Sequence, residues 1–210
     1  MSILEEFPSQ FPALKHEVKL IFFTQTFGCD TCLHAQQIVE ELSCLSEKIK
    51  VETYDMVLDK KEAAEFGVGQ APAIVVVGVR GIIMRYFGVP AELEIESLRQ
   101  AILLSAKKDV GLSERTQLVV SAITKPVDLK VFVTATCRLC PQVVNLASRL
   151  AAINSQIALS VIEATEFPEL VHRYSVSGVP KTVFNGSIEV FGQQNEEEFV
   201  QKILSLDSAK

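Results

Sequence analysis

Five cysteines dominate the chemistry open to this 210-residue chain. Four form two Cys-x-x-Cys pairs, Cys29/Cys32 and Cys137/Cys140, and Cys44 stands alone. A three-residue spacing brings two sulfurs to one side of a helical turn, where they could bond to each other or share a metal. Two chemistries therefore compete, reversible thiol–disulfide exchange and zinc binding. Zinc ribbons separate their pairs by roughly 15–20 residues, whereas 104 residues lie between Cys32 and Cys137. Redox exchange is the stronger reading, and no metal is expected. The odd cysteine count also argues against a disulfide-stapled secreted scaffold.

Exchange requires thiolate, and a free cysteine of pKa near 8.5 is only about 3% ionised at pH 7. A helix N-terminus lowers that pKa, because its unpaired N–H groups and positive dipole end stabilise an anion. The sequence offers such a place twice. Apolar Val18–Thr24 reads as a strand running into Cys29, and Leu129–Thr134 as one running into Cys137. Behind the cysteines, Ile38/Leu42/Leu45 and Val143/Ala147/Leu150 mark helical stripes. On this placement Cys29 and Cys137 are the attacking nucleophiles, and Cys32 and Cys140 are the resolving thiols.

The two sites belong to an internal repeat. Cys137, Cys140 and Pro180 each lie 108 residues beyond Cys29, Cys32 and Pro72. Each proline stands 43 residues after the first cysteine of its half and enters an apolar strand. In the first half, strand 51–55, a short helix at 61–66, a hairpin of 73–77 with 82–87 and a helix at 91–107 follow. The second half adds a leading helix at 113–124. Strand 157–163, a short helix at 167–174, a hairpin turning at Asn185-Gly186 and a helix at 196–206 then repeat the pattern. The order β-α-β-α-β-β-α in each half predicts an α/β fold, a mixed sheet with helices on its faces. The expected units are residues 1–111 and 112–210, with Gly111 ending one helix and Ser113 capping the next. No long linker separates them, so they should pack together.

Composition narrows the function class. Charged residues are 22% and the formal charge is −6, with no run of lysine or arginine, so a nucleic-acid surface has no electrostatic footprint. Residues Met1–Pro8 lack the basic head and apolar run of a secretory signal. The longest apolar stretches are strand-sized, too short for a membrane. The chain reads as cytoplasmic. The histidines His16, His34 and His172 show no ligand spacing, and Cys44 falls off the helical stripe as a bystander thiol. Asp55 and Glu163 end equivalent strands; a solvated strand end is the simpler reading of both, and a buried carboxylate assisting proton transfer is the alternative.

These residues resemble the thioredoxin/glutaredoxin superfamily. In tandem form they resemble the protein disulfide oxidoreductases of thermophilic archaea and bacteria. The resemblance rests on Cys29-Asp30-Thr31-Cys32, Cys137-Arg138-Leu139-Cys140-Pro141, Pro72, Pro180 and the stretches Arg85–Ala91 and Glu163–Glu169, and it covers nearly the whole chain. It implies two thioredoxin-like units, each a mixed four-stranded sheet flanked by helices. It also implies that both prolines are cis and lie against the cysteines, with Ala71 and Val179 offering backbone groups to an extended substrate.

The implied activity is reduction, formation or isomerisation of protein disulfides through two redox-active disulfides, with no bound cofactor. Electrons would come from a thioredoxin reductase-like NADPH-dependent flavoprotein, in a thermophilic host. Two alternatives are a dedicated reductant of a peroxiredoxin, resembling the N-terminal region of the alkyl hydroperoxide reductase flavoprotein, and a cysteine-based metal carrier or holdase. The chain departs from thioredoxin at Phe23 and Val131, where a buried Asp would precede the first cysteine by six residues. It also lacks the glycine-pair signature of glutathione-using glutaredoxins.

The two sites differ in charge. Asp30 follows the first nucleophile and Arg138 the second. At about 7 Å a unit charge contributes roughly 0.6–2.4 kcal/mol, depending on the dielectric. The second site is therefore expected to be the more acidic and the more oxidising, unless both side chains simply point into water.

Overall fold

The computed structural model describes residues 14–107 and 109–206. The Met1–Pro8 segment lies outside the described residues. Eight strands form one continuous sheet: β1 (Val18–Thr24), β2 (Ile49–Asp55), β3 (Ala73–Gly78), β4 (Gly81–Phe87), β5 (Val127–Val133), β6 (Ile157–Glu163), β7 (Lys181–Phe184) and β8 (Ile188–Phe191). Their spatial order is β2-β1-β3-β4-β6-β5-β7-β8. Seven helices among the described residues join them: α1 (Cys32–Cys44), α2 (Lys60–Phe66), α3 (Glu94–Ser105), α4 (Glu114–Ser121), α5 (Cys140–Ile153), α6 (Pro168–Arg173) and α7 (Glu196–Ser205).

Each half is a four-stranded mixed sheet of matching pattern. In the first, β1 pairs parallel with β2 and antiparallel with β3, which turns back into β4. In the second, β5 pairs the same way with β6 and β7, and β7 with β8. The halves do more than pack together, because β4 and β6 pair in parallel through Arg85↔Ser160, Tyr86↔Val161 and Phe87↔Ile162. Backbone hydrogen bonds thus merge two sheets into one and satisfy edges that would otherwise stand open.

Alternation along each strand sends residues to opposite faces. Leu20 and Phe22 join one apolar cluster with Leu42, Ile74, Leu98, Val144 and Leu150, beneath α1, α3, α5 and α7. Ile21 and Phe23 join another with Ala63, Phe132, Ile162 and Phe167, on the face carrying α2 and α6. Both clusters draw on both halves, so the core crosses the junction. Local signals behave as the sequence suggests. Asn185 and Gly186 both have positive φ, the geometry of a tight hairpin turn. Ser113 caps α4, its hydroxyl accepting from the Thr116 N–H. Asn195 and Glu198 form a reciprocal capping box at the start of α7. No helix among the described residues is long and apolar enough to cross a membrane.

Candidate active site

Each cysteine pair occupies the turn between a central strand and a helix. β1 leaves the sheet at Thr24 and the chain reaches Cys29 through Gly28, whose φ of +73° suits glycine. α1 begins at Cys32, and β5 and α5 hold Cys137 and Cys140 in the same way. The first cysteine of each pair therefore sits one turn ahead of the helix, and the second opens it. This differs slightly from the expected placement and sharpens it. The Cys140 N–H, one of the donors that a helix start leaves unpaired, points at Cys137 Sγ from 3.2 Å.

Both pairs are cross-linked, Cys29–Cys32 and Cys137–Cys140, with Cα atoms 5.4 Å apart in each. Exposure divides the cysteines. Cys29 and Cys137 are half-buried, whereas Cys32 is 5% exposed and Cys140 is fully buried. The first cysteine of each pair is partly open to solvent, and the second belongs to the core.

The prolines join the cysteines through the sheet. Ala71–Pro72 and Val179–Pro180 are cis peptide bonds. The register pairs Phe23 with Ala73 and Phe132 with Lys181. One residue further, Pro72 and Pro180 stand level with the strand ends that depart for Cys29 and Cys137. Each proline carbonyl accepts a 2.9 Å hydrogen bond from the N–H of the glycine that ends its hairpin, Gly88 after β4 and Gly192 after β8. Ala71 and Val179, the residues before the prolines, remain half-buried.

Other candidates stand further out. Asp30 and Arg138 are exposed, as are His34, His172 and the free thiol of Cys44. His16 is half-buried. Among the described residues, no three His, Cys, Asp or Glu side chains gather in a group able to hold a metal. Phe23 and Val131 are fully buried, in the two different apolar clusters on opposite faces of the sheet.

Buried acids appear at the junction, where the sequence did not announce them. Glu94, in the first turn of α3, is fully buried, and neither carboxyl oxygen has a hydrogen-bond partner. Burial pushes its pKa up to about 7; Ser97 opposes that rise and Glu163 reinforces it. The neighbouring Tyr86 hydroxyl is also buried and unpaired, and burial raises its pKa well above the usual phenol value. Glu163 is a correction. It is only 4% exposed rather than a solvated strand end, and its Oε2 accepts from the Thr165 N–H, the Thr165 hydroxyl and the Glu166 N–H. Asp55 is less buried. The N–H groups of Val57 and Leu58 and the Thr26 hydroxyl donate to its carboxylate, and the Val57 bond is the largest influence holding its pKa below the usual value. A sequence pattern reports helix position and strand end, but not which ends the other half covers.

Comparison with known proteins agrees with this geometry. A thioredoxin domain model matches residues 127–205. The chain is 24% identical over 174 residues to a Bacillus subtilis protein named NADH dehydrogenase, spanning 83% of this chain and 32% of that one. It is 27% identical over 124 residues to the F component of alkyl hydroperoxide reductase from Pseudomonas aeruginosa, spanning 57% and 23%. The chain thus covers a third or less of these curated relatives. Solved structures match almost end to end. A protein disulfide oxidoreductase from Aeropyrum pernix superposes with a TM-score of 0.90 at 25% identity, covering 98% of this chain and 92% of that one. The N-terminal domain of the Enterococcus faecalis alkyl hydroperoxide reductase AhpF gives 0.87 at 25%, covering 96% and 97%.

The chain is a tandem of two thioredoxin-like units, each with a cross-linked Cys-x-x-Cys pair. The domain match falls on the second half, yet the first half repeats its strands, its cross-linked pair and its cis-proline.

Proposed function

We propose that this oxidoreductase exchanges disulfides with client proteins through both pairs, with residues 1–111 and 112–210 acting as its two units. The supporting observation is that each pair, at the turn between a central strand and a helix, has one half-exposed and one buried cysteine. In the reducing direction the thiolate of Cys29 or Cys137 attacks a client sulfur. A mixed disulfide forms and one client thiolate leaves. Cys32 or Cys140, as thiolate, then attacks the enzyme sulfur and releases the second client thiolate. The client gains two electrons and the pair closes as a disulfide. Run backwards, the same steps insert a disulfide.

Ala71 and Val179 would hold an extended client segment through backbone groups, a sequence-tolerant mode. Apolar side chains flank the first pair along the chain: Phe27 and Leu33 are 83% and 68% exposed. They suit clients that present unfolded, apolar chain. An NADPH-dependent flavoprotein would return electrons to the pairs, and no bound cofactor is required of this chain. The flavoprotein link is in keeping with relatives named NADH dehydrogenase and alkyl hydroperoxide reductase. The site of action would be the cytoplasm.

The AhpF likeness favours a second reading, electron delivery to a peroxiredoxin. Insulin reduction, reactivation of scrambled ribonuclease and reduction of an oxidised peroxiredoxin, assayed in parallel, separate the two. General exchange predicts activity on the first two substrates. Turnover of the peroxiredoxin alone would overturn it.

A further inference from the structure

The first redox pair is not built by its own half alone. Thr31, between Cys29 and Cys32, stands at the N-cap of α1, where a threonine hydroxyl ordinarily accepts from a helix N–H. Here it makes no such bond. Its hydroxyl instead donates to Glu166 Oε2 at 2.5 Å, across 135 residues of chain. The other oxygen, Oε1, accepts the Val89 N–H at 2.6 Å. The Glu166 N–H in turn donates to the buried Glu163. Both oxygens act as acceptors, the role of a carboxylate.

The junction leaves room for this and little else. A Cβ on Gly88, whose φ is +102°, would come within 2.7 Å of both Glu163 Cβ and Glu166 Oε1. The repeat gives the second pair no such bridge. The counterpart of Thr31 is Leu139, which has no hydroxyl, and the counterpart of Glu166 is Leu58, which is 81% exposed.

We infer that Glu166 of the second half is a positioning residue for the first redox site, acting through Thr31 on the Cys29/Cys32 pair. This rests on the oxidoreductase reading above. The bond pins the residue that precedes Cys32 and places a carboxylate beside the pair, in addition to the exposed Asp30 of the same loop and the buried Glu163 behind it. Negative charge there disfavours the Cys29 thiolate and so disfavours the reduced pair. The first site is thereby held more reducing than its own sequence would make it. The second site escapes this influence.

The test equilibrates each pair against a dithiothreitol redox buffer at pH 8. The full chain is used, with the opposite pair changed to serine. Glu166→Gln is expected to move the first pair's equilibrium toward dithiol by about three- to tenfold and to leave the second pair within about twofold. Thr31→Val should move the first pair the same way, because the hydroxyl that holds the carboxylate toward the pair is gone. Combined with Glu166→Gln it should add little, since both remove one link. Thr31→Ser, which keeps the hydroxyl, should restore the original value. A first pair unmoved within about twofold by either variant, an equal shift at both pairs, or a failed serine rescue overturns the inference. Should Glu166→Gln not fold, the two threonine variants decide it alone. Pairs that do not exchange with dithiothreitol at all in the unsubstituted halves would instead refute the oxidoreductase reading.

Discussion

The Leu93 N–H donates to the carbonyl of Ala135 at 3.1 Å, so helix α3 of the first half begins against the loop that carries Cys137. That contact carries Glu94, the next residue, into the interior without a hydrogen-bond partner. Its pKa, raised to about 7, fixes a sign for pH dependence. Below the unfolded carboxyl value near 4.5 both states are protonated and nothing is lost. Between that value and about 7 the unfolded chain releases the proton while the folded chain keeps it, so stability falls as pH rises. The loss amounts to about 3 kcal/mol and is complete above pH 7. Urea unfolding of the unsubstituted chain and of Glu94→Gln at pH 4.5, 6 and 8 should show their stability difference shrinking or reversing with pH. Parallel curves would mean that Glu94 titrates normally.

Removal of single sulfurs separates attack from resolution. With Cys32 and Cys140 both changed to serine, the half-exposed Cys29 and Cys137 should trap clients as mixed disulfides that dithiothreitol releases. The reciprocal variant, Cys29→Ser with Cys137→Ser, should trap little, because Cys32 and Cys140 are 5% and 0% exposed. Non-reducing gel electrophoresis after incubation with oxidised insulin reads the outcome, with reduced insulin as the control that should trap nothing. Equal trapping by both variants would reverse or erase the proposed roles.

Charge beside the nucleophiles should set the order of reactivity. Asp30 and Arg138 are both exposed, so solvent screening confines their effect to the low end of the Coulomb range. Alkylation of reduced protein by iodoacetamide at pH 6 should be about threefold faster at Cys137 than at Cys29. Asp30→Asn together with Arg138→Gln should narrow that gap, and so should high salt. A gap indifferent to both would assign it to something other than these two side chains.

Lys181 follows the cis-proline of the second site and is 1% exposed. Its Nζ donates to the carbonyls of Tyr174 and Ser175, forms a 2.8 Å ion pair with Glu189 and lies over the Phe191 ring. Lys181→Ala would leave two carbonyls without their donor, at a cost of about 1–3 kcal/mol, while the 41% exposed Glu189 turns to solvent. Because Tyr174–Val179 leads to Pro180, the damage should fall on the second pair. Client reduction by a chain lacking the first pair should drop, whereas a chain lacking the second pair should keep its activity apart from the stability loss. An effect shared equally by both would refute this localisation.

Much of the molecule could be read in advance. The 108-residue offset exposed the duplication, and strands Val18–Thr24 and Ile157–Glu163 lie where alternation and apolar runs place them. The cysteine turns, the Asn185-Gly186 hairpin and the Ser113 cap depend on a few neighbouring residues, whose spacing carries their geometry. For the same reason the two pairs could be assigned to strand–helix turns, while the helix itself starts at the second cysteine.

The β4–β6 pairing, the burial of Glu94 and Glu163 and the bond from Thr31 to Glu166 belong to another class. Parallel pairing joins backbone groups that every residue possesses, so no residue type announces it. An acid at a helix start looks solvated until another half of the chain covers it. Spacing along the chain records what each half does locally. What the halves do to one another arises only when two surfaces meet, because desolvation and long-range hydrogen bonds depend on distance in space and leave no periodicity behind.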